Sequence, residues 1–197
     1  EPLRDALARR IGDASTHVVF WDDASVDWAS FDAVVIRSTW DYTERLTDFL
    51  AWVDRVSEAT TLVNGAAVVR WSTDKAYLAE LAAEGIAITP TQFVPPGEDA
   101  PAVEGLHVVK PTVGAGSSGA RRCDDHEVAA HVALLHAQGH TAMVQPYLEL
   151  LDDHGEIAHC FVPNATGDGV ELSHAFRKGA ILRTTEVEQE GDLFAKE

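Results

Sequence analysis

The chain of 197 residues predicts an α/β layer followed by an α+β segment. Three observations carry that expectation. In the first 64 residues, continuous apolar runs alternate with stretches of helical spacing, the pattern of strands buried on both faces of a parallel sheet. In the last third, three extended stretches follow one another, and Gly167-Asp168-Gly169 joins the last two as a hairpin. Apolar residues make up 46% of the chain, enough to bury a core, and no repeat or low-complexity tract interrupts them.

The elements follow in order. Leu3, Ala6, Leu7, Ala8 and Ile11 sit at helical spacing and predict an opening amphipathic helix. His17-Val18-Val19-Phe20-Trp21 predicts a short buried strand, and Ala33-Val34-Val35-Ile36-Arg37 a second. Leu46, Phe49, Leu50, Val53 and Val56 predict a helix, and Thr61-Leu62-Val63-Asn64 a strand. A third helix is expected to start near Ser72 as N-cap and to end at Gly85, with Lys75 in its first turn. Residues 86–94 are extended, with Pro90 favouring an edge strand or bend; residues 95–101 form a loop. His107-Val108-Val109-Lys110-Pro111 is a strand. Asp124 or Asp125 caps a helix that stops before Gly139. Strands are expected over 142–147, 156–162 and 170–176. Glu1 and Glu197 read as the ends of a piece of something longer.

Charge narrows the function. The net charge is −17, which disfavours phosphate backbones and anionic membrane surfaces as partners. No run of about 18 apolar residues exists to span a bilayer. Two cysteines, Cys123 and Cys160, make no disulfide framework, so a reducing cytoplasm is the default expectation. The chain has only four lysines: Lys75, Lys110, Lys178 and Lys196. Lys75 at a helix start opposes the helix dipole, and Lys110 ends an apolar strand. Gly114-Ala115-Gly116-Ser117-Ser118-Gly119 follows closely, where glycines let backbone N–H groups approach phosphate. Arg177 and Lys178 end a late strand, and Arg177 can fork onto carboxylate or phosphate. Cations gathered at such places in an acidic chain read as a phosphate cage.

Other patterns are set aside. His126 and His131 are five apart, so they diverge on a helix by about 140° at 3.6 residues per turn. Gly139 separates His136 from His140. The glycine loop spells a dinucleotide motif, but Ala120-Arg121-Arg122-Cys123 intervene before the next helix. No lysine follows the glycines as a Walker loop requires. The five tryptophans belong by default to the core. Trp40 stands apart, because Arg37-Ser38-Thr39-Trp40-Asp41-Tyr42 lies beyond a strand's C-terminal end, where open α/β sheets bind ligands. A helix start capped by Ser38 or Thr39 remains the alternative there.

Five stretches then occur in a recognisable order. They are the residues 35–42 just quoted; Trp71-Ser72-Thr73-Asp74-Lys75; Val108-Val109-Lys110-Pro111 with the glycine loop; Val144-Gln145-Pro146-Tyr147-Leu148; and Ser173-His174-Ala175-Phe176-Arg177-Lys178. Together, over roughly residues 30–183, they resemble the ATP-grasp superfamily, in particular its glutathione-synthetase-like branch and the cyclo-ligases within it. The resemblance implies a partial N-terminal α/β domain (1–70) on the substrate side. Behind it come a small α+β lobe with a glycine-rich lid (71–141) and the start of a large C-terminal lobe (142–197), left incomplete.

The cofactors implied are ATP and Mg²⁺. By the same resemblance, Lys75 and Lys110 hold the α- and β-phosphates, while Gly114, Gly116, Ser117, Ser118 and Gly119 form the lid. Gln145, Tyr147 and Leu148 line the adenine, largely through backbone groups, and Glu149 and Glu156 offer ribose or other polar contacts. Arg177 is the catalytic residue, stabilising charge on the transferring phosphoryl group or acyl phosphate. Arg37, Ser38, Thr39 and Asp41 face a small-molecule carboxylate or amino-acid-like substrate. The metal ligands stay unidentified: Glu186, Glu188 and Glu190 alternate on no recognised strand, and the family's acidic cluster is expected beyond Glu197. The implied activity is an ATP-dependent ligase that makes an acyl phosphate and joins it to an amine, between two molecules or within one. The competing readings are a truncated or inactive nucleotide-binding module and, through the glycine loop, a nicotinamide oxidoreductase.

Overall fold

The structure is a computed structural model and describes residues 2–12, 15–164, 166–179 and 182. The chain divides into two units, residues 1–73 and 74–197.

In the first unit, α1 (Pro2–Ile11) opens the chain and buries none of its residues. Strands β1 (Ala33–Val35) and β2 (Thr61–Val63) pair in parallel, Val34 opposite Leu62. Between them runs α2 (Leu46–Ala59), and α3 (Ala66–Thr73) follows. The core is aromatic. Phe49, Trp52, Val53 and Val56 form one face of α2 and are at most 2% exposed. Trp21 meets Phe49 edge-on at 5.5 Å and Trp52 at 6.1 Å. Burying each such side chain contributes about 1.5–3 kcal/mol. Arg70 of α3 forks onto the Asp54 carboxylate of α2 and ties the two helices together.

Three expectations fail here. Residues 17–21 form no strand among the described residues, and Val18, Val19 and Phe20 are 63%, 41% and 80% exposed. An apolar run becomes a strand only where a ladder partner accepts it, and β1 pairs with β2 alone. Nor are the strands buried on both faces: Val35 and Val63 are exposed. The third helix is also two helices. Ser72 lies inside α3, donating to the Val69 carbonyl at 3.4 Å, and is no N-cap. Asp74 then caps Ala76 N at 2.9 Å and α4 (Tyr77–Ala83) begins. Lys75 therefore sits in the turn ahead of α4 and not in a first helical turn.

In the second unit, β3 (Gln92–Val94), β4 (His107–Pro111), β5 (Arg121–Cys123) and β6 (Ala142–Pro146) form an antiparallel sheet in the order β3-β6-β4-β5. Helix α5 (Asp125–Ala137) covers one face. Val128, Val132 and Leu135 pack on Val94, Val109, Cys123 and Val144. A capping box starts α5: Asp124 N donates to Glu127 Oε2 at 2.9 Å. His131 and His136 are used structurally, their Nε2 atoms meeting the Gly119 and Val94 carbonyls at 2.9 Å each. The short α6 (Leu150–His154) leads into β7 (Glu156–Pro163), which pairs antiparallel with β8 (Val170–Lys178). Strand β5 was not foreseen from the sequence, where residues 120–123 read only as a gap before a helix.

Candidate functional site

Alternation along β4 sends His107, Val109 and Pro111 to the helix-covered side and Val108 and Lys110 to the other. Register then places Met143 beside Lys110, and Gln145 and Arg122 beside Val108, on that same face. Lys75 reaches it from the turn before α4. Its backbone N donates to Thr112 O at 3.0 Å, and its Nζ donates to Thr112 O at 3.1 Å and Gly114 O at 2.7 Å. The lysine so clasps the base of the glycine loop.

Both ammonium groups are half-buried and hold their protons less firmly than a free lysine. For Lys75 the main cause is burial, then the Lys110 charge, with Asp74 opposing. For Lys110 the cause is burial, opposed by the charge of Glu156. Two desolvated like charges within mutual reach are unfavourable unless an anion joins them. Glu156 supplies part of that charge and also meets Lys178 Nζ at 3.5 Å, its register partner across β7 and β8. Lys110 and Lys178 thus share one carboxylate, while Lys75 feels the charge of Lys110.

The loop is shaped to leave its tip open. Gly114 and Gly119 pack against Pro111, where an added Cβ would come within 3.2 and 3.1 Å of the proline ring, while Gly116 has nothing within 4 Å. Gly116, Ser117 and Gly119 all take positive φ. Gly119 is held from behind by His131.

The remaining expected residues are placed as follows. Gln145 is 7% exposed, and its amide donates to Thr91 Oγ1 at 2.7 Å, so its side chain is committed to the fold. Tyr147 N donates to Leu106 O at 2.9 Å, and its hydroxyl donates to Asp152. Leu148 is 46% exposed, and Glu149 precedes α6. Arg177 lies on exposed β8 and donates to the His154 carbonyl. Glu186, Glu188 and Glu190 lie outside the described residues. Among those described, no group of three or more His, Cys, Asp or Glu could hold a metal ion.

In the first unit, Arg37 and Ser38 are exposed beyond the end of β1. Thr39 lines an open recess of ≈ 340 Å³ with Ile36, Tyr42, Asn64 and Ser72 among its neighbours. Asp41 accepts from Trp21 Nε1 at 3.0 Å and lies 3.7 Å from Arg45. Thr39 makes no capping bond. Trp71, expected in the core, is 42% exposed, and Trp40 is 55% exposed. Asn64 was not singled out from the sequence. It ends β2 with φ 63°, as Ser38 follows β1 with φ 57°. Left-handed non-glycine residues concentrate at ligand sites, and only the structure shows this pair.

The fold is similar to that of a solved structure. D-cycloserine synthetase DcsG, known from a crystal structure, aligns with a TM-score of 0.74 at 40% identity, over 84% of this chain and 58% of that one. The similarity to that synthetase extends over most of this chain's length. Its first 64 residues match the family described as the D-cycloserine synthetase DcsG N-terminal domain. Over 92% of its length it is 42% identical to the cycloserine biosynthesis protein DcsG of Streptomyces lavendulae. It spans 62% of that relative. The chain is thus similar to cycloserine synthetase in sequence and in fold. Among the described residues no helix is long and apolar enough to cross a membrane.

Proposed function

We propose that the protein is an ATP-dependent ligase, or the nucleotide-binding part of one, that activates a carboxylate-type group of a small amino-acid-like molecule as an acyl phosphate. An amine-type nucleophile, on a second molecule or on the same one, then displaces phosphate. The observation that carries this reading is the desolvated pair Lys75 and Lys110 beside an open glycine loop, in a chain of net charge −17. A polyphosphate relieves their repulsion and turns a cost into binding energy. Lys75 and Lys110 hold the phosphates, and the tip of the loop, at Gly116 to Ser118, closes over them and excludes water. The backbone after β6 takes the adenine at Tyr147 and Leu148. Arg177, a forked cation, steadies the charge that develops on the phosphoryl group. Mg²⁺ neutralises triphosphate charge in such reactions, and its ligands would come from outside the described residues. The Thr39 recess at the ends of β1 and β2 is the substrate side of this reading, and a cycloserine-like ring closure is the product class that the similarity to DcsG favours.

Thermal unfolding with ATP and Mg²⁺ tests it. At 100 times Kd a ligand adds about 2.7 kcal/mol, which raises Tm by about 5–10 °C for a chain of this size. Lys110→Ala abolishes the shift. An unshifted wild-type Tm overturns the proposal.

A further inference from the structure

We infer that Arg122 and Asp152 are positioning residues that set Tyr147, in the hinge segment just after β6, for the purine end of the nucleotide. The inference rests on the nucleotide reading above. Its substance is a closed three-residue cluster. The Arg122 guanidinium lies over the Tyr147 ring, 4.1 Å from its centroid. Arg122 Nη1 is 3.5 Å from Asp152 Oδ2. The Tyr147 hydroxyl donates to Asp152 Oδ1. Ring face, ring edge and carboxylate are each held by another member, so the tyrosine has no rotor left to turn. A cation over an aromatic face and a charge-assisted bond reinforce one another where water is partly excluded. The Arg122 side chain is only 16% exposed.

Backbone geometry ties the cluster to the hinge. Residues 148–152 wind a turn in which Leu151 N donates to Leu148 O at 2.9 Å and Asp152 N to Glu149 O at 3.0 Å. Asp152 thus reaches back across the very segment proposed to meet the adenine. Tyr147 N is anchored to Leu106 O, one residue before β4. On the sheet, Arg122, Val108 and Gln145 form a row on the same face as Lys110, and Lys110 is two residues along β4, about 7 Å at the strand rise. One face therefore carries a phosphate end and a hinge end in sequence. Helix α6 links them further, since its last carbonyl, His154 O, accepts from Arg177.

The experiment separates the two ends of the ligand. Affinities for ATP and for inorganic tripolyphosphate are measured by calorimetry on the wild-type chain and on Arg122→Gln, Asp152→Ala and Asp152→Asn. Arg122→Gln and Asp152→Ala weaken ATP binding about tenfold, the scale of one charge-assisted contact, and leave tripolyphosphate within about twofold. Asp152→Asn, which keeps an acceptor for the tyrosine hydroxyl, falls between. Equal weakening for both ligands marks general structural damage and overturns the inference, as does no weakening for either. A wild-type chain that binds tripolyphosphate but not ATP overturns it while the lysine cluster stands. One that binds neither overturns the nucleotide reading itself.

Discussion

Gly155→Ala gives a large and specific prediction. Gly155 joins α6 to β7 with φ 67°, and a Cβ there would stand 2.2 Å from the Lys178 carbonyl oxygen and 3.3 Å from its carbon. The obstacle is backbone, so no rotamer change removes it. Ordinary contact starts at 3.4 Å, which means the end of β8 must retreat by about 1 Å. The backbone there, φ 67° and ψ −170°, lies in a region essentially reserved to glycine and alone costs alanine about 1–3 kcal/mol, and the displaced ladder adds to it. That ladder end pairs Glu156 with Lys178 and Ile157 with Arg177. Moving it therefore separates Arg177 from the His154 carbonyl and Lys178 from Glu156, the carboxylate whose charge also reaches Lys110. Gly167→Ala is the control: φ is 74° there, but nothing lies within 4 Å. Urea unfolding should place Gly155→Ala at least about 2 kcal/mol below wild type, with Gly167→Ala losing about 1 kcal/mol and keeping its nucleotide affinity. Equal losses in the two variants, or an undiminished ATP response in Gly155→Ala, would refute the reasoning.

Two further outcomes are expected. Folding lowers the proton affinity of Lys75 and Lys110, so between their lowered pKa values and the ordinary 10.5 the unfolded chain holds more protons than the folded one. The free energy of unfolding of the nucleotide-free protein therefore rises with pH in that window, and Lys75→Met with Lys110→Met flattens the rise, read from denaturant titrations at a series of pH values. Cys123 is fully buried and its thiol is pushed up to about 11 by burial. In the folded chain at pH 8 it should resist iodoacetamide until denaturant is added, as mass spectrometry of the digested protein will record.

Much of the site was legible because a scarce residue type marks it. Four lysines in an acidic chain are informative, and Lys75 and Lys110 do lie within reach of each other's charge. The helix α2 was legible from apolar spacing, and α5 from a cap at Asp124 or Asp125 and the stop before Gly139. The failures share a cause: they depend on partners distant in sequence. Residues 17–21 have the apolar run of a strand without a neighbour to pair with. Residues 121–123 have two arginines and no apolar signal, yet they form a strand because His107 to Val109 offers a ladder. Ser72 has the chemistry of an N-cap, but the Ala66 to Thr73 helix had already begun before it. Arg122 and Asp152 carry no motif, and only the fold brings them onto Tyr147.

The central claim is that Lys75 and Lys110 hold the anion, and proton linkage tests it most directly. A bound triphosphate restores the proton affinity that burial and mutual repulsion lower in the free protein. Calorimetric titration with ATP near pH 9, where the nucleotide's own phosphates are fully ionised, in two buffers of different ionisation enthalpy, should reveal net proton uptake that Lys75→Met and Lys110→Met each diminish. Binding without uptake, or uptake that survives both substitutions, would contradict the account.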